Sequence, residues 1–258
     1  MRAVVVIPAR YGSTRFPGKP LARLMGKPLI EHVYSRAREA KTVDRVVVAT
    51  DDRRIMEAVK QFGGDCVMTD TGHRSGSDRL GEVAVTLDAD IIVNVQGDEP
   101  LISPDVIDAV VQVHGREKAP DIATVAVPMG SEEDYSDRNI VKVVTDNRGF
   151  ALYFSRSAIP HGWHEGSGEA LRHMGIYAYS RAALLNFVSL PAGKLEKMED
   201  LEQLRALENG MNIFVVRVDE FNSIGVDRPD DLLKVEDMMK EMKAGVDDPA
   251  PGEVEGGS

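Results

Sequence analysis

Short apolar runs rich in valine and isoleucine alternate with amphipathic segments through the first half of the chain. The runs predict buried strands at 2–7, 45–50, 64–68, 90–95 and 121–127. The segments between them, at 28–40, 51–62, 76–87 and 103–118, have helical periodicity, with Asp51 and Ser103 as expected N-caps. Strands that alternate with helices of this length are typical of βαβ units, so we expect an α/β fold with a mainly parallel sheet.

The alternation changes after Pro128. Segments 140–146 and 150–154 predict an antiparallel hairpin that turns at Asn147-Arg148-Gly149. Beyond it we expect a strand at 173–179, helices near 180–190 and 196–209, a strand at 212–218 and a last helix at 229–243. No linker divides residues 1–243, which predicts one domain, and the Gly-, Pro- and acid-rich segment 244–258 predicts a disordered tail.

Composition narrows the class of protein. Of the 258 residues, 43% are hydrophobic and 28% are charged, as is usual for a soluble globular protein. The single cysteine, Cys66, excludes an intrachain disulfide and a thiolate metal cage and favours a cytoplasmic enzyme. A formal net charge of −11 argues against nucleic acid or an anionic membrane as the partner. An anionic ligand would therefore need a local cluster of cations together with a divalent metal ion.

The loop after the first strand is a candidate site for a polyphosphate. Its sequence is Ala9-Arg10-Tyr11-Gly12-Ser13-Thr14-Arg15-Phe16-Pro17-Gly18-Lys19-Pro20. Ligands of open α/β sheets bind beyond the carboxyl ends of strands, and a loop there with free N–H groups and several cations suits phosphate. It is not a P-loop, because Lys19 is followed by Pro20, which has no hydroxyl for Mg²⁺. An ordinary basic surface turn is the alternative.

Asp98 and Asp227 are the candidate metal ligands. Asp98 follows a glycine beyond strand 90–95, and Asp227 stands just before the last helix. Because Mg²⁺ in proteins favours one or two carboxylates together with substrate phosphates, the pair would suffice if the fold brings it together. The alternative for each is a helix-capping role, which for Asp227 alone is the stronger interpretation. Glu99, beside Asp98, is expected to point away.

A third candidate is Ser75-Gly76-Ser77-Asp78-Arg79, at the predicted start of the third helix. Hydroxyls, a glycine and the free amides of a helix start suit a nucleotide base or a phosphate. On these residues alone, a helix cap without further function is the favoured alternative.

Several motifs, taken together and in this order, resemble those of one enzyme family. They are PARYGSTRFPGKPL, SGSDRL, NVQGDEP, ALYFSRSAIP, RHMGIYAY, LEQLRAL and GVDRPDDL, and the likeness extends from about Val4 to the last helix. The family is that of the 3-deoxy-manno-octulosonate (Kdo) cytidylyltransferases, which join CTP and Kdo to give CMP-Kdo and pyrophosphate for lipopolysaccharide synthesis. The resemblance implies a three-layer α/β/α nucleotidyltransferase-like fold with a mixed, mainly parallel sheet and an antiparallel hairpin excursion. It also implies Mg²⁺ and a homodimer, with the hairpin at 140–154 and its neighbours as a contact region.

The resemblance assigns roles to residues at matching motif positions. Those implied in catalysis are Arg10, Lys19, Asp98 and Asp227, and the last two would hold the metal ion. Those implied in nucleotide binding are Pro8, Ala9, Arg10, Ser13, Thr14, Lys19, Ser75, Gly76, Arg79 and Gln96. Those implied in binding the sugar acid are Arg15, Gln96, Arg156, His173, Tyr177, Glu202 and Gln203. In the implied reaction the anomeric 2-hydroxyl of Kdo attacks the α-phosphorus of CTP, and pyrophosphate leaves in line.

The sequence leaves other activities open. Ser77 stands where the family usually has threonine, and loop 161–171 does not align, so the 8-amino analogue of Kdo is an alternative substrate. A sialic-acid nucleotidyltransferase is the nearest alternative enzyme. A metal-dependent glycosyltransferase would use a similar sheet and carboxylate with a sugar-nucleotide donor, and a nucleotide sensor would bind CTP without forming product.

Overall fold

The computed structural model describes residues 1–12, 15–73, 75–164, 169–219, 221 and 224–247. Its strands are β1 (Ala3–Ala9), β2 (Arg23–Leu24), β3 (Lys27–Pro28), β4 (Arg45–Thr50), β5 (Asp65–Met68), β6 (Ile91–Asn94), β7 (Ile122–Pro128), β8 (Lys142–Thr145), β9 (Ala151–Ser155), β10 (Leu171–Ser180) and β11 (Ile213–Arg217). Its helices are α1 (Leu29–Arg38), α2 (Arg53–Gln61), α3 (Gly76–Thr86), α4 (Pro104–Gln112), α5 (Glu132–Ser136), α6 (Arg181–Ser189), α7 (Lys194–Glu199), α8 (Leu204–Glu208) and α9 (Pro229–Asp247).

In the described part of the chain, nine strands form one mixed sheet. Its main order is β11-β7-β10-β6-β1-β4-β5, and β10 runs antiparallel to both of its neighbours in this order. The other neighbouring pairs are parallel. The hairpin of β8 and β9 joins the sheet through the pairing of β8 with β10. The expected mixed, mainly parallel sheet with an antiparallel hairpin is therefore confirmed.

Successive side chains of β1 point in turn into two apolar layers, one on each face of the sheet. Val5 and Ile7 pack with residues of α1, α2 and α4, whereas Val4 and Val6 pack on the opposite face with residues of α3 and α6. Because successive strand residues point to opposite faces, a strand that is apolar throughout must be covered on both sides. The result is the expected three-layer α/β/α arrangement.

The order of the strands creates a crevice beside β1. From β1 the chain proceeds through β4 to β5 on one side, and then crosses to β6 on the other side of β1. β1 and β6 are parallel, with Val6 opposite Asn94, so their carboxyl ends lie side by side. Ligands of open α/β sheets bind where the strand order reverses in this way. The loop after β1 and the segment after β6 therefore leave the sheet at the point where a ligand is expected.

Two helix predictions in the first half of the chain need correction. Asp52, not Asp51, caps α2, because the carboxylate of Asp52 accepts an N–H of the first helical turn at 2.9 Å. The helix expected at 103–118 ends earlier, at Gln112. It is followed by a 3₁₀ turn that contains Gly115, a residue type that disfavours the interior of a helix.

Two later helices also differ from the prediction. The helix expected at 196–209 is divided into α7 and α8 at Asp200, whose φ of 53° lies in the left-handed region. α9 continues to Asp247, past the expected end at 243, and the rest of the predicted tail lies outside the described residues. Neither α9 nor any other described helix has the length and the apolar composition needed to cross a membrane.

Gly97→Ala is expected to destabilise the fold, because Gly97 lies against the backbone of β1. A Cβ atom at Gly97 would lie 2.9 Å from the carbonyl oxygen of Pro8, and β1 is held by strands on both sides. We expect the free energy of unfolding to fall by about 1–3 kcal/mol, measured by equilibrium urea denaturation. Gly115→Ala is the control, because a Cβ atom there meets no heavy atom within 4 Å. Equal losses for the two variants would contradict the argument.

Candidate active site

A cavity of about 270 Å³, here called the first cavity, opens at the crevice between β1 and β6. It is lined by residues from the ends of several elements, namely Pro8, Ala9, Arg10, Arg15, Lys19, Pro20, His73, Ser75, Gly76, Arg79, Gln96, Gly97, Asp98 and Asp227. The structure thus brings together the residues predicted to bind the nucleotide and the metal ion. Ser13 and Thr14, which belong to the same prediction, lie outside the described residues.

Lys19 joins the two predicted metal ligands. Its ammonium nitrogen lies 2.6 Å from Asp98 Oδ2 and 3.4 Å from Asp227 Oδ1. Arg15 approaches the same oxygen of Asp227, with a guanidinium nitrogen at 3.2 Å. The Lys19 side chain is 15% exposed, so water and salt screen these charges less than they would on an open surface. Two carboxylates that are far apart in the sequence thus face one cation.

A backbone hydrogen bond places Asp227 beside Asp98. The N–H of Val226 donates to the carbonyl of Asp98 at 2.9 Å, which ties the chain before α9 to the segment after β6. Val226 is itself buried in an apolar cluster with Leu24 and Val235, so packing anchors the contact. The approach of the two carboxylates therefore depends on tertiary contacts, which sequence spacing does not specify.

Asp231 accepts the free amides at the start of α9. Its carboxylate accepts the N–H of Asp227 at 3.0 Å and that of Arg228 at 2.9 Å. These hydrogen bonds lower the pKa of Asp231, the one from Arg228 most of all. Asp231 thus fixes the backbone that leads into α9, and the Asp227 carboxylate faces Lys19 and Arg15.

The donors in the first cavity fit a divalent metal ion of the Mg²⁺ type. The carboxylates of Asp98 and Asp227 already face one cation, and Mg²⁺ takes one or two carboxylates with phosphate and water as its other ligands. Within the described ranges, no group of three or more His, Cys, Asp or Glu side chains is arranged to hold a metal ion. Glu99, which does not line the first cavity in the described chain, has its pKa raised to about 7 by burial and by the charge of Asp98. Substrate oxygens and water would therefore complete the coordination.

The start of α3 is both a helix cap and a wall of the first cavity. The Ser75 hydroxyl accepts the N–H of Asp78 at 3.1 Å, and the Asp78 carboxylate accepts the N–H of Ser75 at 3.3 Å. A Cβ atom at Gly76 would lie 3.4 Å from the ring of Pro8, so the helix start packs closely on β1. The capping interpretation is confirmed, and the positive end of the helix dipole lies where it can stabilise an anion in the cavity.

Arg79 is a buried cation in the wall of the first cavity. Its side chain is 5% exposed, its guanidinium lies 2.9 Å from the Asp51 carboxylate, and it also donates to the hydroxyl of Thr69. Asp51 and Thr69 directly follow β4 and β5, so these contacts tie the ends of both strands to α3. The carboxylate that was expected to cap α2 thus fixes the orientation of an arginine at the cavity.

A second cavity, also of about 270 Å³, lies beside β10. It is lined by Asn139, Ile140, Val141, Arg172, His173, Met174, Gly175, Tyr177, Leu201 and Gln203. His173, Tyr177 and Gln203 are among the residues predicted to bind the sugar acid. Gln203 is buried, and its amide nitrogen has no hydrogen-bond partner among the described residues. Because an unpaired buried amide is costly, this nitrogen is available to donate to a polar ligand.

His173 and Tyr177 are uncharged at neutral pH. Burial lowers the pKa of His173 to about 3 and raises the pKa of Tyr177 well above its usual range. Thr124 Oγ1 lies 2.9 Å from His173 Nε2 and donates its own proton to the carbonyl of Ile176 at 2.8 Å. When the Thr124 proton goes to Ile176, His173 Nε2 is the donor to Thr124 Oγ1 and Nδ1 is left as an acceptor.

Arg156 and Lys142 hold the segments that border the second cavity. The Arg156 guanidinium donates to backbone carbonyls, those of Arg138, Glu199 and Asp200. The fully buried ammonium of Lys142 does the same, to the carbonyls of Asp137, Ile140 and Arg156. In the described chain Arg156 is in the lining of neither cavity, so its contact with the sugar acid stays a prediction.

Glu202 links the two cavities. Its carboxylate accepts the Ser77 hydroxyl at 2.7 Å and lies 3.3 Å from the guanidinium of Arg205. Ser77 follows Gly76 of the first cavity, and Glu202 precedes Gln203 of the second, so this hydrogen bond joins their walls. As far as the described residues go, Glu202 is in neither lining, and its direct contact with the sugar acid also stays a prediction.

Sequence reasoning missed three polar residues near the cavities. His73 lines the first cavity and pairs with Glu82, and its place just before the Ser75 motif is a signal that could have identified it. Arg172 adds a cation to the lining of the second cavity. Asn94 lies opposite Tyr177 with a buried side-chain oxygen that has no partner in the part of the chain described. Nothing in a short apolar strand indicates that its last residue carries a buried, unpaired side-chain oxygen.

Asp51→Ala is expected to lower the melting temperature, because it leaves the buried guanidinium of Arg79 without its carboxylate partner. Loss of one partner of a buried ion pair costs about 3–5 kcal/mol, which corresponds to a fall of roughly 6–20 °C in a protein of this size. Differential scanning calorimetry measures the change. Asp105→Ala, at an exposed position in the first turn of α4, is the control. A shift no larger than that of the control would show that the pair does not stabilise the cavity wall.

Comparisons with known proteins identify the family of the chain. A family model described as Cytidylyltransferase matches residues 4–213. Two curated relatives, both 3-deoxy-manno-octulosonate cytidylyltransferases, come from Syntrophotalea carbinolica and Trichlorobacter lovleyi and are 51% and 50% identical to this chain. The first alignment covers 92% of this chain and 98% of the relative, and the second covers 93% and 100%.

Solved structures extend the comparison to three dimensions. A CMP:2-keto-3-deoxy-manno-octonic acid synthetase in complex with CTP has a TM-score of 0.89 at 45% identity, covering 94% of this chain and 100% of that one. A 4-diphosphocytidyl-2C-methyl-D-erythritol synthase from Anaerococcus prevotii is 11% identical, with a TM-score of 0.61 over 93% of this chain and 96% of that one, and shows likeness of fold alone. The resemblance deduced from the motifs is confirmed: the chain belongs to the 3-deoxy-manno-octulosonate cytidylyltransferase family.

Proposed function

We propose that this chain transfers CMP from CTP to the anomeric 2-hydroxyl of Kdo, giving CMP-Kdo and pyrophosphate. The observation that carries the proposal is the convergence of Asp98 and Asp227 on Lys19 in the first cavity. A nucleotidyl transfer needs cations around the triphosphate and carboxylates for a metal ion, and this cavity combines them. Family membership supports the substrates, since the relatives are named for this reaction and a related synthetase was solved with CTP.

The nucleotide is proposed to bind in the first cavity. Arg10, Arg15 and Lys19 line it and supply positive charge for the triphosphate. The start of α3, with Ser75 and Gly76, lines the same cavity and offers a helix N-terminus to an anion or base. Because the whole chain carries a formal charge of −11, this local cluster has to provide the attraction for an anionic substrate.

We propose Mg²⁺ as the metal ion, with Asp98 and Asp227 as its protein ligands. The support is the donor set, two carboxylates beside a site for phosphate oxygens. When bound, the ion supplies Lewis-acid polarisation and neutralises charge on the phosphates. Arg10 and Lys19 add fixed positive charge that stabilises the departing pyrophosphate.

Kdo is proposed to bind in the second cavity. Arg172 supplies a positive charge for the sugar carboxylate, and Gln203 supplies an unpaired amide donor. His173 and Tyr177 are neutral and can bind hydroxyl groups without repelling the acid. The 8-amino analogue would use the same contacts to its carboxylate, so the assay must compare the two sugars.

The arrangement of the cavities would place the acceptor hydroxyl beside the α-phosphorus. Gln96, which lines the first cavity, lies just beyond the end of β6. β6 also pairs with β10, which carries Tyr177 of the second cavity. The hydrogen bond from Ser77 to Glu202 joins the walls of the two cavities. Holding two reactants in line can supply as much as about 7–11 kcal/mol of the barrier reduction. Positioning and charge stabilisation are the main requirements of such a transfer, so no covalent intermediate with the protein is needed.

We also propose a homodimer in the cytoplasm, with the hairpin of β8 and β9 and its neighbours as the contact region. The support is the family resemblance, and Leu152 on β9 is 63% exposed and so accessible to a second copy. The single cysteine is compatible with a reducing compartment.

Pyrophosphate release is the assay that tests the proposed function. With Mg²⁺ and Kdo present, we expect rapid release from CTP and little from ATP, GTP or UTP. Replacing Kdo by its 8-amino analogue or by sialic acid compares the alternative acceptors directly. Absence of release with CTP and Kdo would contradict the proposal. Transfer from a sugar nucleotide would indicate a glycosyltransferase, and CTP binding without any product would indicate a sensor.

Asp98→Asn is expected to reduce kcat by about 10²-fold or more, while CTP binding partly survives, because the substitution removes a charged metal ligand and leaves the cationic loop intact. Steady-state pyrophosphate release measures kcat, and isothermal titration measures CTP affinity. Asp105→Asn is the matched control, since Asp105 lies on α4 and does not line either cavity in the described chain. Turnover near the wild-type value for Asp98→Asn would remove Asp98 from the metal site.

A further inference from the structure

The Lys19 ammonium lies within 2.6 Å of Asp98 and 3.4 Å of Asp227, the two carboxylates proposed to hold the divalent ion. We infer that Lys19 competes with the metal ion for Asp98 and Asp227, and that the triphosphate of a bound nucleotide relieves the competition by pairing with Lys19. The inference rests on the proposed function and adds an order of binding to it. Tight metal binding then follows the arrival of the nucleotide.

Both carboxylates are already paired with cations of the chain. Lys19 bridges Asp98 and Asp227, and Arg15 makes a second contact with Asp227. Two carboxylates, one ammonium and one guanidinium form a cluster whose formal charges cancel. A divalent ion gains little Coulomb attraction from a neutral cluster, and each cation that withdraws adds one unit of negative charge to the site.

Lys19 is suited to exchange its partners. A lysine ammonium is a compact charge on a flexible stem, and its donors can turn from carboxylate to phosphate without a change in the backbone. The side chains of Asp98 and Asp227 are 28% and 49% exposed, so an ion from solvent can reach both carboxylates. Arg10 and the start of α3 line the same cavity and would hold phosphate oxygens next to the ammonium.

The competition makes nucleotide and metal binding cooperative. Coupling between two ligands is reciprocal, so the factor by which the nucleotide tightens metal binding is also the factor by which the metal tightens nucleotide binding. Such factors are typically about 5- to 150-fold. A lysine that served only as a phosphate contact would leave the metal affinity of the nucleotide-free protein unchanged when it is replaced.

The test is the affinity of the nucleotide-free protein for Mn²⁺, measured through the electron paramagnetic resonance signal of the free ion. Lys19→Met removes the ammonium and keeps an unbranched stem of similar size. We expect this variant to bind Mn²⁺ about 10-fold more tightly than the wild type. Lys19→Arg keeps the charge and should bind Mn²⁺ as weakly as the wild type. Lys27→Met is the matched control, because Lys27 pairs with Glu31 outside the lining described for the first cavity.

Further variants identify the site and guard against a folding defect. Adding Asp98→Asn to Lys19→Met should abolish the gain in Mn²⁺ affinity, because one of the two carboxylates is lost. Mn²⁺ should raise the melting temperature of Lys19→Met more than that of the wild type, since a ligand that binds the folded state stabilises it. Arg15→Gln removes the other cation beside Asp227 and should give a smaller gain, which keeps the test decisive if Lys19→Met does not fold.

Equal or weaker Mn²⁺ binding by the folded variants that lack Lys19 or Arg15 would overturn the inference. A gain that survives the Asp98→Asn change would also overturn it, because the ion would then be bound elsewhere. These measurements contain neither CTP nor Kdo. Failure of the competition would leave pyrophosphate release intact, whereas failure of the proposed function would appear in that assay and leave the Mn²⁺ result unaffected.

Discussion

The parallel pairing of β1 with β6 is the constraint on which both cavities depend. It brings the loop after β1 and the segment after β6 to one edge, so that Lys19 from one reaches Asp98 from the other. The close approach requires a glycine at position 97, where any side chain would meet the carbonyl of Pro8. On its other side β6 pairs with β10, which carries Tyr177 of the second cavity. One strand end therefore sets the separation between the two proposed substrate sites.

The charges that matter to the site are local. The chain as a whole is strongly acidic, yet the first cavity collects Arg10, Arg15, Lys19 and the buried Arg79, and the second cavity has Arg172. At physiological ionic strength, exposed charges more than about 8 Å apart are largely screened, so these cations outweigh the acidic surface for a ligand in contact with them. The neutral side chains of His173 and Tyr177 complete this arrangement, because they bring polar atoms to the second cavity without further negative charge.

Local patterns predicted the elements of the sheet well, because an apolar run bounded by turn residues is sufficient to define a buried strand. β1, β4 and β6 lie where the sequence indicated, and the hairpin at 142–155 has the expected pairing. The break between α7 and α8 was not predictable, since the left-handed backbone of Asp200 is held in part by the distant Arg156. A long-range contact also explains why Asp52 caps α2 in place of the predicted Asp51, because Asp51 pairs with the buried Arg79. In both cases a contact with a residue distant in the sequence determined the local backbone or the capping residue.

In the site, too, local sequence predicted some features and long-range contacts decided others. Residue types and strand ends indicated the cationic loop and Asp98, but the approach of Asp227 depends on the Val226 backbone bond to a carbonyl more than a hundred residues earlier. This late contribution has a consequence for the synthesis of the protein. Domains form from the amino terminus as the ribosome extends the chain, and Asp227 lies beyond β11, the last strand of the described sheet. A nascent polypeptide can therefore form most of the sheet and of the first cavity before Asp227, the second carboxylate of the proposed metal site, has been synthesised.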